Sequence, residues 1–551
     1  MMAFREALGV AGLWLVVAGC GDEAAPLQGV SPTPLAGATS RLDDALTGDS
    51  GFALGGTVVG LAGSGLTLTS LVGDLAIESE GPFAFPRRLE AGRPYDVSVK
   101  AHPNDPFQLC RVERGRGNIE SADIEDVAVT CVAQPAPPGL DPRFGADGRV
   151  ALAVGSNDGG MAVQADGKLV LVGASAGDFL VARVESGGRL DASFGAGGTE
   201  STDLGRGLDD RVHAVALQAD GKLVVVGEAA VGLTARDQLD YDFALVRYDS
   251  DGRLDPSFGD AGRVTTDFHG ERDRAFSVVI QSDGKIVVAG AAGRSAPSRD
   301  GSDFALARYE ADGRLDPGFG DAGQLTTELA AGGGQARNVV LTPGGGVLLS
   351  GPVALDTDAG LAHTGLVRYD ALGRLDPSFA AGGTLLLRDV RAGEALVLQG
   401  DGKIVLAGAA DVADAAGATT AWALLRRNED GSSDESFGDA GRVVSAFGSG
   451  NEVAHAVALD ADGLVVAGSR TLGANTDFAL ARYDESGVLD LSVGDAGLLG
   501  VDYFGALDSA QHVAVLPDGQ LVLAGFVQNG LVAGFGLARA SSPVALKPEH
   551  Q

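Results

Sequence analysis

The chain has 551 residues, a formal net charge of −33, 45% hydrophobic residues, and 84 glycines against 5% aromatic residues. This length exceeds the size at which one hydrophobic core keeps growing, so we expect several domains or an array of repeats. Abundant glycine with few aromatics predicts short elements joined by tight turns, and the negative charge argues against nucleic acid as a partner because it repels phosphate backbones.

The first 19 residues predict an export signal. The apolar run from Ala7 to Gly19 has the length of a signal-peptide core and falls short of the ~20 residues that span a bilayer. It ends in Val17-Ala18-Gly19-Cys20, which resembles the lipobox of bacterial lipoproteins. The resemblance implies a lipid on Cys20, and Gly21 after it implies outer-membrane delivery. A plain secretory peptide is the alternative, because Arg5 is the only basic side chain before the apolar run.

Two segments precede the main body of the chain. Residues 20–51 are rich in Pro, Gly, Ser and Thr, which predicts a flexible tether. Residues 52–133 contain short alternating apolar runs, which predict a small antiparallel β-sandwich, and residues 134–139 (QPAPPG) form a stiff linker. With Cys20 lipidated, Cys110 and Cys131 remain as a pair, and an exported protein is expected to join them in a disulfide.

One pattern recurs seven times from Leu140 onward. The copies start at Leu140, Leu190, Leu254, Leu315, Leu375, Ser433 and Leu489, with intervals of 50, 64, 61, 60, 58 and 56 residues. The third reads LDPSFGDAGRV, and each interval also contains an apolar hairpin around Asp-Gly or Gly-Gly and a run such as DFALARY. The pattern resembles the delta-60 repeat family of bacterial surface and secreted proteins.

The repeats predict an all-β fold, a seven-bladed β-propeller over residues 140–541 with a tail at 542–551. Each repeat offers four strand-length runs, A to D, as a propeller blade requires. Runs A and B are almost continuously apolar, because blades are covered on both faces by their neighbours. Since the first copy lacks runs A to C and the last ends at run C, we expect 149–154 to pair beside 535–540 and close the ring.

The connections after run B differ in length and composition, whereas the A–B and C–D connections are nearly fixed. Variable loops on a fixed scaffold are typical of binding surfaces, so the face carrying the B–C and D–A loops is the candidate binding face. Tolerated insertions are the alternative. The candidate contact residues are Arg236, Asp237, Arg294, Arg299, Asp300 and His363.

Other residues that could carry chemistry have simpler interpretations. The phenylalanine of LDPSFG suits packing between blades and its aspartate suits turn capping, although Asp249, Asp251 and Asp255 in one copy have a calcium-like spacing. His213, His455 and His512 start run A and could approach the axial channel, yet they are not all in adjacent blades and no further ligand joins them. Gly173-Ala-Ser175-Ala-Gly177 matches a nucleophile-elbow string without the helix that such an elbow needs.

These patterns favour a non-catalytic, membrane-anchored envelope lipoprotein, a monomer that presents one propeller face to a protein or glycan partner. No metal and no cofactor is predicted. A propeller enzyme, a lyase or hydrolase at the channel mouth, would need polar residues that break the repeat consensus and converge there, and the sequence pattern shows no such cluster. A purely structural envelope component is the third hypothesis.

The lipobox predicts that Cys20→Ala releases the protein from membranes, because the lipid would be its anchor. Fractionation of cells expressing the two forms measures this. A Cys20→Ala protein that still sediments with membranes would contradict the lipoprotein hypothesis.

Overall fold

A computed structural model describes residues 51–541 of the chain, except 102, 104–107, 134–138, 146, 153, 156–158, 206–208, 234–238, 269–270, 295–300, 356–361, 389–390, 415–416, 448–449, 474 and 530–531. The lipobox, the tether from residue 20 to 50 and the tail at 542–551 lie outside the described residues. The described part is built of strands. It contains no helix long and apolar enough to cross a membrane.

Nine strands form the sheets of residues 54–133. They are β1 (Leu54–Val59), β2 (Leu66–Ser70), β3 (Gly73–Ile77), β4 (Gly81–Ala84), β5 (Pro94–Asp96), β6 (Ser98–Ala101), β7 (Gln108–Glu113), β8 (Arg116–Asn118) and β9 (Ile124–Ala133). Their sheets have the orders β4-β1-β9-β7, β3-β2-β6 and β5-β8. Leu54 and Val58 of β1 and Leu66 and Leu68 of β2 are buried, so the apolar alternation of these runs supplies a core.

The disulfide prediction is confirmed. Cys110 of β7 lies opposite Cys131 of β9 in an antiparallel ladder, and the two are bonded. One pairing differs from the antiparallel arrangement that was expected, because β1 and β9 run parallel. A parallel pair needs a long crossover, and the seven strands between β1 and β9 provide it.

Seven four-stranded sheets follow within the described residues, and each is a propeller blade. Blade 1 consists of β11 (Met161–Val163), β12 (Leu169–Ser175), β13 (Asp178–Val184) and β14 (Thr199–Thr202). Blade 2 consists of β15 (Arg211–Leu217), β16 (Leu223–Leu233), β17 (Leu239–Tyr248) and β18 (Arg263–Thr266). Blade 3 consists of β19 (Arg274–Ile280), β20 (Ile286–Gly293), β21 (Ser302–Tyr309) and β22 (Gln324–Thr327). Blade 4 consists of β23 (Asn338–Leu341), β24 (Val347–Ala354), β25 (Ala362–Tyr369) and β26 (Thr384–Leu387). Blade 5 consists of β27 (Arg391–Leu398), β28 (Ile404–Asp414), β29 (Gly417–Arg427) and β30 (Arg442–Ser445). Blade 6 consists of β31 (Val453–Asp460), β32 (Gly463–Leu472), β33 (Asn475–Tyr483) and β34 (Leu499–Val501). Blade 7 is β35 (Ser509–Val515), β36 (Leu521–Asn529), β37 (Val532–Ala540) and β10 (Arg149–Leu152).

The ring closes as predicted. β10 pairs antiparallel with β37, with Arg149 opposite Ala538 and Leu152 opposite Phe535. The first strand of the repeat region therefore completes the last blade, and that sheet gains the outer strand that its own repeat lacks.

The A–B turns differ in type from the two-residue hairpin that Asp-Gly suggests. In blade 2 the Gln218 amide donates to the Lys222 carbonyl and the Gly221 amide donates to Gln218, so three residues form the loop. Gly221 has φ of 84°, and the Asp220 carboxylate accepts the Lys222 amide. The glycine thus occupies a left-handed bulge position while the aspartate caps the turn, so only one of the two residues needs positive φ.

An arginine near the end of each C strand links most blades to the next. Arg308 of β21 lies 4.3 Å from the ring centroid of Phe319, is bonded to the Asp316 carboxylate, and donates to the Ala371 carbonyl of the next blade. We call this arrangement the inter-blade clasp. Its other arginines are Arg183, Arg247, Arg368, Arg426 and Arg539.

The clasp is buried and charge-balanced. The Asp316 side chain is 6% exposed and that of Arg308 is 9% exposed. Burial acts to raise the pKa of Asp316, but hydrogen bonds from Lys285, the Gly318 amide and Arg308 lower it to about 2. The carboxylate therefore stays ionised, and the predicted roles of the LDPSFG phenylalanine in packing and of its aspartate in turn capping are both confirmed.

We expect Arg308→Met to lower the free energy of unfolding by about 3 kcal/mol, because it breaks a buried ion pair and removes the bond to the next blade. Chemical denaturation of the full chain measures the change. Arg314→Ala is the matched control, since the Arg314 side chain is 81% exposed and its pair with Asp312 lies on a surface turn. A loss below about 0.5 kcal/mol for Arg308→Met is the range of ordinary surface substitutions, and it would contradict a stabilising role of the clasp.

Candidate functional site

The starts of the seven A strands surround one cavity of about 540 Å³. In each blade the A strand runs from the face with the D–A and B–C loops toward the A–B turn, so the cavity opens on the predicted binding face. Met161, Val215 and Val278 line it further along their strands, while polar residues line the starts. The cavity is therefore a pit with a polar entrance and apolar side chains below.

Seven equivalent residues form the entrance, one from each blade. They share a position seven residues before the Asp or Gly that opens the A–B Asp-Gly or Gly-Gly turn. We call them the axial ring. They are Gly159, His213, Phe276, Arg337, Glu394, His455 and Gln511.

A β-bulge accounts for the special position of most of these residues. In blade 2 the pairing of β15 with β16 skips from Val212 to Ala214, which leaves His213 without a residue opposite it. The same shift occurs at Phe276, His455 and Gln511. In blade 5 the shift leaves two residues, Gly393 and Glu394, without a residue opposite them. A bulge turns one side chain out of the regular alternation, so these residues can face the axis while their neighbours pack between blades.

Buried acids hold the loop before the bulge in four blades. Each acid lies three residues before its ring residue, and the acids are Asp210, Asp273, Glu452 and Asp508. Asp273 accepts the amides of Phe268 and Gly293, and so joins the end of one blade to the B strand of the next. Burial raises the pKa of Asp273 to about 7, and the nearby carboxylates of Asp267 and Asp242 add to the shift.

Contacts between neighbouring ring residues shape the entrance. The Arg337 guanidinium lies 3.5 Å from the Glu394 carboxylate across two adjacent blades. The rings of His213 and Phe276 are 5.0 Å apart between centroids and tilted, so they form one wall. The entrance thus combines an ion pair, an aromatic face and amide and imidazole groups.

His455 and His512 are shaped by their packing, which gives His512 a contact between blades and lowers the pKa of both imidazoles. The Nε2 atom of His512, one residue beyond the ring, lies 2.5 Å from the Gly159 carbonyl and links blade 7 to blade 1. Burial lowers the pKa of His455 to about 4, with a contribution from His512. Burial also lowers the pKa of His512. At neutral pH these two imidazoles are therefore uncharged.

The sequence predicts that His213, His455 and His512 approach the axial channel, and the structure confirms this, since all three line the pit. The expectation that no polar cluster converges at the channel mouth is wrong. Phe276, Arg337 and Glu394 were missed because they differ chemically from the histidines. Alignment of the repeats on their A–B turns would have found them, since a fixed position then shows seven residues of differing type.

The predicted contact residues are placed as follows. Arg236, Asp237, Arg299 and Asp300 lie outside the described residues. Arg294 is paired with Asp303 and Glu328 and donates to the Ala330 and Ala331 carbonyls, and its side chain is 10% exposed. His363 is buried, with its Nδ1 atom 2.9 Å from the Arg388 carbonyl. These contacts hold Arg294 and His363 within the protein, and the role of the whole set in binding stays a prediction.

The calcium-like aspartates are bonded to groups of the protein. Asp249 accepts the amides of Asp251 and Arg253, and Asp251 pairs with the Arg253 side chain. Asp255 pairs with Arg247 in the clasp. The three carboxylates therefore serve turns and the clasp.

Five segments match the profile of a family described as "Domain of unknown function (DUF5122) beta-propeller". The segments are residues 164–194, 218–258, 281–319, 399–437 and 461–492. They fall within blades 1, 2, 3, 5 and 6 and run from the A–B turn to the LDPSFG element. The matches support a β-propeller repeat family. No curated protein matches the chain in sequence.

Several solved structures have a similar course of the chain at low identity. An ulvan lyase of polysaccharide lyase family PL25, bound to -[GlcA(1-4)Rha3S]-, has a TM-score of 0.44 and 11% identity over 72% of this chain and 96% of its own. Virginiamycin B lyase from Staphylococcus aureus has a TM-score of 0.38 and 9% identity over 71% and 98%. Drosophila plexin A in complex with semaphorin 1b has a TM-score of 0.39 and 9% identity over 74% and 88%. At these values the similarities carry no argument about what this chain binds.

The buried aspartates predict a pH-dependent stability. Burial raises the pKa of Asp273 and Asp508 to about 7 and that of Asp210 to about 6, above the ordinary value near 3.8. The folded protein therefore binds more protons than the unfolded chain between pH 4 and 7, and these groups make the free energy of unfolding fall as the pH rises through that range. Each can contribute at most about 1.4 kcal/mol per pH unit.

We expect a variant with Asp210→Asn, Asp273→Asn and Asp508→Asn to lose much of this slope between pH 5 and 7, measured by denaturation at several pH values. Asp251→Asn, at an exposed turn carboxylate, serves as the control and keeps the slope. An unchanged slope in the triple variant would show that other groups set the pH dependence.

Proposed function

We propose that the protein is a non-catalytic binding protein whose ligand site is the axial pit. The observation that carries this proposal is the diversity of the axial ring. Its seven equivalent positions hold six different types of residue, although the chain is otherwise strongly repetitive. Packing alone favours the same residue at equivalent positions, as the six clasp phenylalanines illustrate. Diversity at one exposed ring is what a single asymmetric ligand on the axis requires.

The chemistry of the pit supports a small or terminal ligand group. Its volume lies within the range of protein ligand sites, about 300–1,000 Å³, and it combines apolar walls with a few polar groups. His213, His455 and Gln511 come from strands anchored by ladders and by buried acids, so their geometry is largely fixed before binding. The residues predicted from the sequence as ligand contacts, Arg236, Asp237, Arg299 and Asp300, belong to the same proposal.

The proposed setting is the bacterial cell envelope, with the protein held as a monomer at the outer membrane by a lipid on Cys20. The Cys110–Cys131 disulfide supports this setting, because such bonds form and persist in oxidising compartments. The tether of residues 20–51 would give the propeller reach from the membrane surface. A protein or a glycan of the envelope would be the partner.

Binding of an array of glycans and of peptides by the purified full chain with Cys20→Ala tests the proposal. We expect Arg337→Ala and Phe276→Ala each to weaken binding of the ligand by at least about tenfold, because each removes a group at the centre of the site. Arg314→Ala is the matched control, since it removes an exposed arginine from a C–D turn on the opposite face. Thermal unfolding checks that all variants are folded.

Two results would overturn the proposal. Binding that is equal in the wild type and in both ring variants would place the ligand elsewhere. Absence of any ligand among envelope glycans and peptides would favour a structural envelope component.

A second candidate function is catalysis in the same pit by a lyase or hydrolase. The observation that favours it is the convergence of imidazole, guanidinium and carboxylate groups at the channel mouth. Prolonged incubation of a bound glycan with the protein distinguishes the two functions. Release of new reducing ends or unsaturated sugars, lost in Arg337→Ala, would establish an enzyme, and an unaltered glycan supports the binding protein.

A further inference from the structure

The form of the pit restricts how a ligand can enter it. A strands from all seven blades contribute to its wall, so the wall is continuous around the axis, and the lining residues lie at the strand starts, on the face with the D–A and B–C loops. A groove would let the middle of a polymer lie across the site. A pit of this kind accepts only a chain end or a short branch, and its volume of about 540 Å³ suits about one or two sugar rings.

The charge of the entrance restricts what that end can carry. Arg337 brings a positive charge to the axial ring and Glu394 a negative one, and their side chains lie 3.5 Å apart, each partly exposed. A ligand with one carboxylate or sulfate would have to compete with Glu394 for the guanidinium and would bring a second negative charge beside it. The Arg337–Glu394 pair therefore has no net charge. The guanidinium and carboxylate atoms that are not used between the two side chains can form hydrogen bonds with neutral groups of a ligand.

The other ring residues suit hydroxyl groups and an apolar face. Gln511 and Asn338, which follows Arg337 in the chain, carry amides whose Nδ2 or Nε2 atom donates within the protein and whose oxygen atoms can accept hydrogen bonds. His455 is an uncharged imidazole with one donor and one acceptor at neutral pH. Phe276, held at a tilt by His213, presents part of its ring to the pit. A sugar ring has hydroxyl groups at its edge and carbon–hydrogen groups on its faces, which matches this combination.

We propose that the axial pit receives the uncharged terminal residue of a glycan chain or branch, entering end-on, with Phe276 against the face of the sugar and the Arg337–Glu394 pair and Gln511 at its hydroxyl groups. This inference rests on the proposed function, and it names the ligand class of that site. A peptide end is disfavoured, because its terminal amine or carboxylate would have to compete with one partner of the Arg337–Glu394 pair.

The test is an array that presents each envelope glycan in three forms: with a neutral terminal residue, with the same residue capped by a further sugar, and with a uronic acid at the end. The probe is the full chain with Cys20→Ala. We expect signals for neutral ends at least tenfold above those for the other two forms, and at least a tenfold loss of the signal in Phe276→Ala and Arg337→Ala. Arg314→Ala keeps the wild-type signal.

Other outcomes separate the inference from the proposed function. Preference for capped or acidic glycans, or for peptides, with the loss in the ring variants intact, overturns the neutral-end inference and leaves the pit as the binding site. A glycan signal that the ring variants do not change overturns both. Glu394→Gln adds a direct check, since removal of the anion frees Arg337 and is expected to raise the signal for uronic-acid ends at least tenfold.

Discussion

The structure depends on a guanidinium group that belongs to two blades at once. Arg308 is bonded to Asp316 in its own blade and to the Ala371 carbonyl in the next, while Phe319 packs against its flat face. A planar group with five donors can make these contacts together, which a lysine ammonium could not do with the same geometry. Repetition of the clasp fixes the spacing between blades, and the packed A, B and C strands then bury their apolar residues between neighbours.

The clasp also divides the propeller into a constrained face and a variable one. The A–B turns and C–D connections carry the caps, the aspartates and the carbonyls that the clasp uses, so their sequences are held nearly constant. The opposite face, with the D–A and B–C loops, contributes little to these contacts and is free to vary. The axial ring lies on that variable face, where bulges aim Phe276 and its equivalents at the axis.

The fold could be predicted from the sequence because its signals are local and repeated. Turn capping by Asp255 and packing by Phe258 follow from their fixed places in the repeat. The pairing of β10 with β37 follows from the order in which the four strand runs begin and end along the repeat region. The role of Arg247 between blades was missed because its carbonyl partner, Ala311, lies in the next blade, which no pattern along the chain displays. Arg337 and Glu394 are 57 residues apart and meet only when blades 4 and 5 pack together, and the bulge at Glu394 is a feature of strand register.

The position of the missing clasp explains how closure is achieved. In blade 6 the clasp phenylalanine is replaced by Val493, and Arg482 bonds Asp460 within its own blade. The next blade is the one whose C and D strands, β37 and β10, are not joined by a turn, so it cannot offer Arg482 the usual turn carbonyl. Arg149 of β10 instead donates to the Asp502 carbonyl at the end of blade 6. The chain therefore secures this joint with the strand that closes the ring, and loss of β10 would remove both the outer strand of blade 7 and the bond that replaces the clasp.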